Sequence, residues 1–99
     1  MRFTFEDDDL RRLYEEHDFV LNRFGPDLTK AFRKKVGFIA GVGSEQDLRN
    51  YKALHFEKLD GSRTGQHSIR LNDQWRLILV LERDAANRQI AIIEIVDYH

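Results

Sequence analysis

The segment Gln66–Arg76, with the sequence Q-H-S-I-R-L-N-D-Q-W-R, decides the fold of this chain. Ile69 and Leu71 alternate with Ser68 and Arg70, which is typical of a strand that buries one face. An Asn-Asp pair follows and favours a turn. An apolar run then begins at the single tryptophan of the chain. The segment therefore predicts the turn of a β-hairpin with its two flanking strands.

The strands on either side extend this hairpin into a sheet. Trp75–Glu82 is apolar on both faces, which indicates a central strand, and Gln89–Tyr98 is again apolar on both faces. The alternation in Arg2–Phe5 is compatible with one more short strand. The sequence predicts a three- to four-stranded antiparallel sheet.

Two helices are predicted before the sheet. Apolar residues recur at spacings of three and four from Leu10 to Phe24, which favours one helix that stops at Gly25. A second helix is expected from Pro26 to about Ala40. The predicted fold is α+β, with an N-terminal helical hairpin packed on one face of the sheet.

Three shorter features complete the local predictions. Ser44 begins a pattern that resembles a capping box, which indicates a helical turn through about Tyr51. Residues 53–59 are ambiguous between extended chain and helix. Asp60–Gly65 is dense in turn-forming residues and is the clearest loop.

Composition limits the architecture and the chemistry. The chain has 99 residues, of which 41% are hydrophobic and 33% charged. This predicts a single domain over residues 1–99. The absence of cysteine excludes disulfides, thiolate metal sites and a cysteine nucleophile. No signal peptide or membrane-spanning run is recognisable, so we expect a cytoplasmic protein with no membrane partner.

The charge is balanced overall but unevenly distributed. A formal net charge of -1 and a pI of about 6.4 do not indicate a nucleic-acid-binding protein. Acidic residues crowd the first predicted helix, whereas Lys30, Arg33, Lys34 and Lys35 form a basic block in the second. A solvated helix face explains each block better than a surface that binds polyanions.

The C-terminal residues Asp97-Tyr98-His99 are able to support acid–base chemistry. In a strand, Asp97 and His99 share one face and Tyr98 lies on the other. A carboxylate orients a nearby imidazole and raises its pKa, and histidine exchanges protons near pH 7. The spacing alone, however, favours a polar tail that ends an apolar strand. His55 and His67 are further acid–base candidates.

Arg70 and Arg76 flank the predicted turn and are candidates to bind one phosphate, because guanidinium offers a bidentate fork. Ion pairs with Asp73 or Glu82 at the sheet surface are an equally good explanation. The sequence has no H-x-x-x-H motif and no glycine-rich phosphate loop after a strand, so it does not support a metallohydrolase or a nucleotide-binding fold.

Two motifs together resemble a known family. They are G-S-R-T-G-Q-H-S-I-R-L-N-D-Q-W-R-L at 61–77 and I-I-E-I-V-D-Y-H at 92–99. Both are similar to the HigB-type branch of the RelE/ParE superfamily, the plasmid-maintenance killer toxins of type II toxin-antitoxin systems. The resemblance implies a small α/β toxin fold and a helix-turn-helix antitoxin of the HigA type. It also implies cleavage of mRNA on the translating ribosome without a metal or another cofactor.

The resemblance assigns roles residue by residue. Arg76 would hold the scissile phosphate, Asp97, Tyr98 and His99 would form the terminal catalytic group, and His55 matches a histidine that some relatives carry before the loop. Lys58, Arg63, His67 and Arg70 are the accompanying candidates for RNA or phosphate binding. Asp60 stands where many relatives have a lysine, so Lys58 or Arg63 would have to supply that positive charge.

Two alternatives remain at this point. A ParE-like toxin would use the same fold against a protein target such as DNA gyrase, and would depend on its helical hairpin rather than on Arg76 and His99. An inactive relative would bind its antitoxin without arresting growth.

Overall fold

The computed structural model describes residues 1–83, 85–86 and 89–97. This part of the chain forms an α+β domain. Its elements are β1 (Arg2–Phe5), α1 (Asp8–Glu15), α2 (Pro26–Gly41), α3 (Glu45–Asn50), β2 (Glu57–Lys58), β3 (His67–Arg70), β4 (Trp75–Arg83) and β5 (Gln89–Asp97). Single 3₁₀ turns occupy Lys52–Leu54 and Gly61–Arg63.

The described strands form one mixed sheet with the order β1-β5-β4-β3-β2. The predicted antiparallel meander of β3, β4 and β5 is confirmed. The prediction of a purely antiparallel sheet of three or four strands was wrong, because β1 pairs with β5 in parallel and β2 adds a fifth strand. Strand direction at a distant edge is not encoded locally, and a strand of two residues is too short to show alternation.

The hydrophobic core lies between the helices and one face of the sheet. Its fully buried members include Leu10, Leu13, Phe32, Val36, Ile39, Ile69, Leu77, Leu79 and Ile93. Because side chains alternate along a strand, the residues between these sheet positions point away from the helices. We call that side the open face; it carries Ser68, Arg70, Arg76, Ile78 and Glu94.

The first helix is shorter than predicted. It ends at Glu15, and residues 16–25 are irregular, so a ten-residue connection rather than a tight turn at Gly25 joins α1 to α2. Phe24 remains buried, but it reaches the core from this connection. The apolar residues that predicted a longer helix are spaced by their burial in the core, although the backbone that carries them after Glu15 is not helical.

Arg33 explains how the irregular connection is stabilised. Its Nε donates to the carbonyl oxygen of Leu13 at 2.8 Å, and its Nη2 donates to that of Phe19 at 3.0 Å. The same Nη2 also lies 3.3 Å from the carbonyl oxygen of His17. A guanidinium thus satisfies one carbonyl group in the last turn of α1 and others in the connection that follows it. Arg33 therefore does not point outward with the rest of the basic block, as the sequence had suggested.

The remaining helices follow the sequence closely. The second helix was predicted to begin at Pro26, and it does. The predicted helical turn after Ser44 is confirmed as α3, and the Ser44 hydroxyl accepts a hydrogen bond from the Asp47 amide. The Asp47 side chain accepts in return from the Gly43 amide, not from that of Ser44 as in a full capping box. Within the described ranges, no helix is long and apolar enough to span a bilayer.

Candidate functional site

The turn between β3 and β4 is built around Asn72. Its side-chain oxygen accepts hydrogen bonds from the amides of Gln74 at 2.9 Å and Trp75 at 2.8 Å. An Asn that bonds the backbone two and three residues ahead mimics a backbone turn. The Leu71 amide then donates to the Trp75 carbonyl at 3.0 Å and begins the ladder. This turn fixes the register of the two strands that carry the candidate arginines.

The register places Arg70 directly opposite Arg76 on the open face. Arg70 forms an ion pair with Asp73, as one of the sequence interpretations expected. The Asp73 side chain is 94% exposed, and an ion pair this open to water contributes at most about 1 kcal/mol. A phosphate group is therefore able to replace Asp73 on Arg70 at little energetic cost.

Asp97 lies at the same end of the sheet as Arg76, but one position further along β5. Arg76 pairs with Val96, and Asp97 pairs with Trp75. Successive residues point to opposite faces, so Asp97 and Arg76 do not share a face. The side-chain Nε2 of Gln74 donates to Asp97 Oδ2 at 3.1 Å, a contact that the sequence analysis missed and that the strand register would have indicated. Tyr98 and His99 lie outside the described residues, so their catalytic roles stay predictions.

The neighbouring part of the open face is covered by Arg63. Its Nη1 lies 3.7 Å from Glu94 Oε2 on β5 and also donates to the Gln66 side chain at 2.9 Å. To reach Glu94, the Arg63 side chain must cross the row formed by Ser68 and Ile78. This explains why both residues are almost fully buried although neither faces the helices. The two opposed arginines lie beside this covered part of the face; both are half-buried, and Arg76 Nη1 is buried.

His67 faces the core rather than the open face. Its ring stacks on Phe56 with a centroid distance of 5.0 Å and an angle of 11° between the planes. Its Nδ1 is buried and has no hydrogen-bond partner among the described residues. Burial lowers the pKa of His67, and the neighbouring cations Arg49 and Lys58 act in the same direction against Glu45. The structure thus places His67 as a neutral packing residue, and its predicted contact with RNA is not accessible from the surface.

His55 lies just before the edge strand β2, and Lys58 lies in that strand. His55 is exposed and adopts a left-handed conformation, with φ 49° and ψ 50°, which is rare for a residue with a side chain. Lys58 is exposed and pairs with His67 in the sheet register. His67 is three residues from Arg70 along β3, or roughly 10 Å at the rise of a strand. Lys58 therefore lies in a different part of the sheet from the arginines, and His55 precedes that edge strand.

A comparison with known protein families identifies the class to which this protein belongs. Residues 3–99 match the family described as the RelE-like toxin of type II toxin-antitoxin system HigB. The chain therefore belongs to the HigB-like toxins, and the resemblance seen in its motifs is confirmed. A toxin of a type II system has an antitoxin as its partner.

Individual relatives agree with this assignment. The chain is 33% identical over 86 residues to an uncharacterised protein of Haemophilus influenzae, covering 87% of this chain and 84% of the relative. It is 35% identical over 79 residues to Toxin HigB-1 of Vibrio cholerae, covering 79% and 81% of the two chains. A YoeB/ParE toxin from Agrobacterium tumefaciens has a similar fold, with a TM-score of 0.54 and 13% identity over 100% of this chain and 99% of that one.

Proposed function

We propose that this toxin is a metal-independent endoribonuclease that cleaves mRNA on the translating ribosome. The observation that supports this most directly is the pairing of Arg70 with Arg76 on the open face, at the end of the sheet where β5 reaches Asp97. Two guanidinium groups on adjacent strands suit one phosphate, because each offers paired N–H donors to its oxygens. The sequence continues from Asp97 into Tyr98 and His99.

The proposed reaction is an internal transesterification. The ribose 2′-oxygen attacks the adjacent phosphorus, and the bond from phosphorus to the 5′-oxygen breaks. The products are a 2′,3′-cyclic phosphate and a free 5′-hydroxyl. One proton leaves the 2′-hydroxyl and one is delivered to the departing 5′-oxygen, so a base and an acid are both required.

The residues divide between these tasks. Arg76 binds the scissile phosphate and stabilises the negative charge that grows on its oxygens in the transition state. His99 and Tyr98, which follow Asp97 in the sequence, exchange the two protons. Asp97 faces away from Arg76, so its role is limited to orienting the histidine and does not include contact with the phosphate. Arg70 holds the same phosphate or its neighbour after releasing Asp73.

The other candidates act further along the RNA. Lys58 is exposed and binds backbone phosphates beside the edge strand, and His55 is held by its left-handed backbone at the approach to that strand. Arg63 contributes positive charge from its position above Ser68 and Ile78, in place of the lysine that Asp60 replaces.

The charge of the chain argues for a substrate presented by the ribosome. Affinity for free RNA grows with the number of phosphates that a protein neutralises. This chain has a net charge of -1, and Asp60 adds an exposed negative charge next to the predicted binding residues. We therefore expect weak binding to free RNA and efficient cleavage only where the ribosome positions the mRNA. We expect the toxin to act in the cytoplasm and to be neutralised by a HigA-type helix-turn-helix antitoxin.

Cleavage by purified protein tests the proposal. Wild-type toxin and His99→Ala are incubated with translating ribosomes and with the same mRNA free in solution, and the cut sites are mapped by primer extension. The proposal predicts cuts by wild type on ribosomes, little cutting of free RNA and loss of cleavage in the variant. Absence of cleavage by wild type on ribosomes that are shown to translate the same mRNA would overturn it.

A further inference from the structure

Val20 lies uncovered in the irregular connection between α1 and α2. Its exposed fraction is 67%, which makes it the most exposed large hydrophobic residue in the described part of the chain. Its neighbours Phe19 and Leu21 pack partly against the core. In a non-helical segment, a residue between two inward-facing neighbours tends to point the other way. The fold therefore holds Val20 toward solvent by anchoring the residues on both sides of it.

Val20 borders a groove of about 570 Å³ between this connection and the first turns of α2. Its lining includes Val20, Leu21, Pro26, Thr29, Lys30 and Arg33. Most of the exposed surface in the groove is apolar. We call it the α2 groove. An apolar groove of this kind, rimmed by polar groups, is typical of a surface that a protein partner covers.

The charged residues of the α2 groove have one sign. Lys30 and Arg33 are its charged lining residues, and Lys30 forms no ion pair within the described ranges. On α1, by contrast, Arg11 pairs with Asp8 and Glu15, and Arg12 pairs with Glu16. The acidic residues of the first helix are thus largely compensated by their own arginines. The groove presents positive charge that is available to a partner carrying carboxylates.

The family assignment supplies a protein partner for this surface. We propose that the α2 groove binds the antitoxin, through a segment that places an apolar side chain against Val20 and carboxylates beside Lys30. This inference concerns the antitoxin and does not depend on the proposed ribonuclease reaction. The groove lies on the helix side of the molecule, whereas the paired arginines lie on the open face.

Binding measurements with matched variants test this proposal. The antitoxin encoded beside this toxin is purified after coexpression, and its Kd is measured by isothermal titration calorimetry against wild type, Val20→Asp and Lys30→Glu. Tyr51→Asp and Lys52→Glu are the controls, because Tyr51 is also an exposed large hydrophobic residue and Lys52 an exposed lysine, and both lie outside the groove lining. The groove variants should bind at least about tenfold more weakly, and the controls within about twofold.

Two further measurements keep the result unambiguous. Hydrogen exchange on the wild-type complex should show protection of the backbone amides of residues 19–25, and this measurement needs no variant. Wild type and Val20→Asp should sediment alike without antitoxin. Equal effects in groove and control variants, or no protection of the amides of residues 19–25, would overturn the proposal. A change of oligomeric state in Val20→Asp would also overturn it, because the groove would then join two copies of this chain.

The ribosome assay separates this inference from the proposed reaction. Val20→Asp should cleave mRNA on ribosomes at the wild-type rate and resist neutralisation by the antitoxin. If wild type fails to cleave but the groove variants still lose antitoxin binding, the reaction is wrong and the docking surface stands.

Discussion

Replacing Arg33 tests how the irregular connection after α1 is held in place. Arg33→Met keeps an apolar stem of similar length but removes the donors to the carbonyl oxygens of Leu13 and Phe19, at 2.8 and 3.0 Å. A hydrogen bond to a charged group contributes about 1.5–3 kcal/mol, and partial exposure favours the lower end of that range. Two such bonds at the lower end of the range, with little added by the longer contacts to Glu16 and His17, should lower the free energy of unfolding by about 3 kcal/mol.

The matched control is Lys34→Met at the next, exposed position of α2. It changes charge and side-chain type in the same way and should alter the free energy of unfolding by less than about 0.5 kcal/mol. Urea unfolding at pH 7, followed by the fluorescence of Trp75, gives both values. If Arg33→Met and Lys34→Met unfold within about 0.5 kcal/mol of each other, Arg33 does not stabilise the connection and the reasoning is refuted.

Two further predictions concern the histidines. His55→Gly should be more stable than His55→Ala by about 1 kcal/mol, because glycine adopts the left-handed backbone at this position without steric conflict; equal melting temperatures would contradict this. Burial lowers the pKa of His67 below its ordinary value of 6.5, so the unfolded state binds the proton more readily than the folded state. The stability that neutral His67 contributes is therefore complete above pH 6.5 and is lost progressively below it. Measured against His67→Phe, which keeps an aromatic ring beside Phe56, wild type should lose more stability between pH 7 and pH 5; parallel pH curves would count against it.

Most of the sheet could be predicted, because the sequence features that specify it lie close together along the chain. Alternation from Ile69 onward, the Asn-Asp turn and the apolar runs of β4 and β5 specify the meander without reference to the rest of the chain. The end of α1 was not predictable in this way. It depends on Arg33, whose shortest hydrogen bond joins it to the carbonyl of Leu13, 20 residues away in the sequence. The parallel pairing of β1 with β5 is likewise a contact between the two ends of the chain.

The candidate site shows the same division between local and distant information. The facing of Arg70 and Arg76 follows from the hairpin register, which the turn fixes. The burial of His67 could have been predicted, because strand alternation places it on the same face as Ile69 and Leu71. It was instead assigned to RNA binding because of its position in the family motif. That Arg63 reaches Glu94 across two strands depends on how the 60–65 loop folds over the sheet, and no spacing reveals that.

The claim that the arginine pair binds the scissile phosphate is tested most directly by single-turnover cleavage of mRNA on ribosomes. Arg76→Ala is compared with Arg83→Ala, a change of the same kind at the far end of β4. Loss of one donor to a transition-state phosphate slows catalysis by about 10²–10³-fold. We predict a reduction of this size for Arg76→Ala, with Arg83→Ala close to wild type. Equal rates for the two variants would contradict the proposed site.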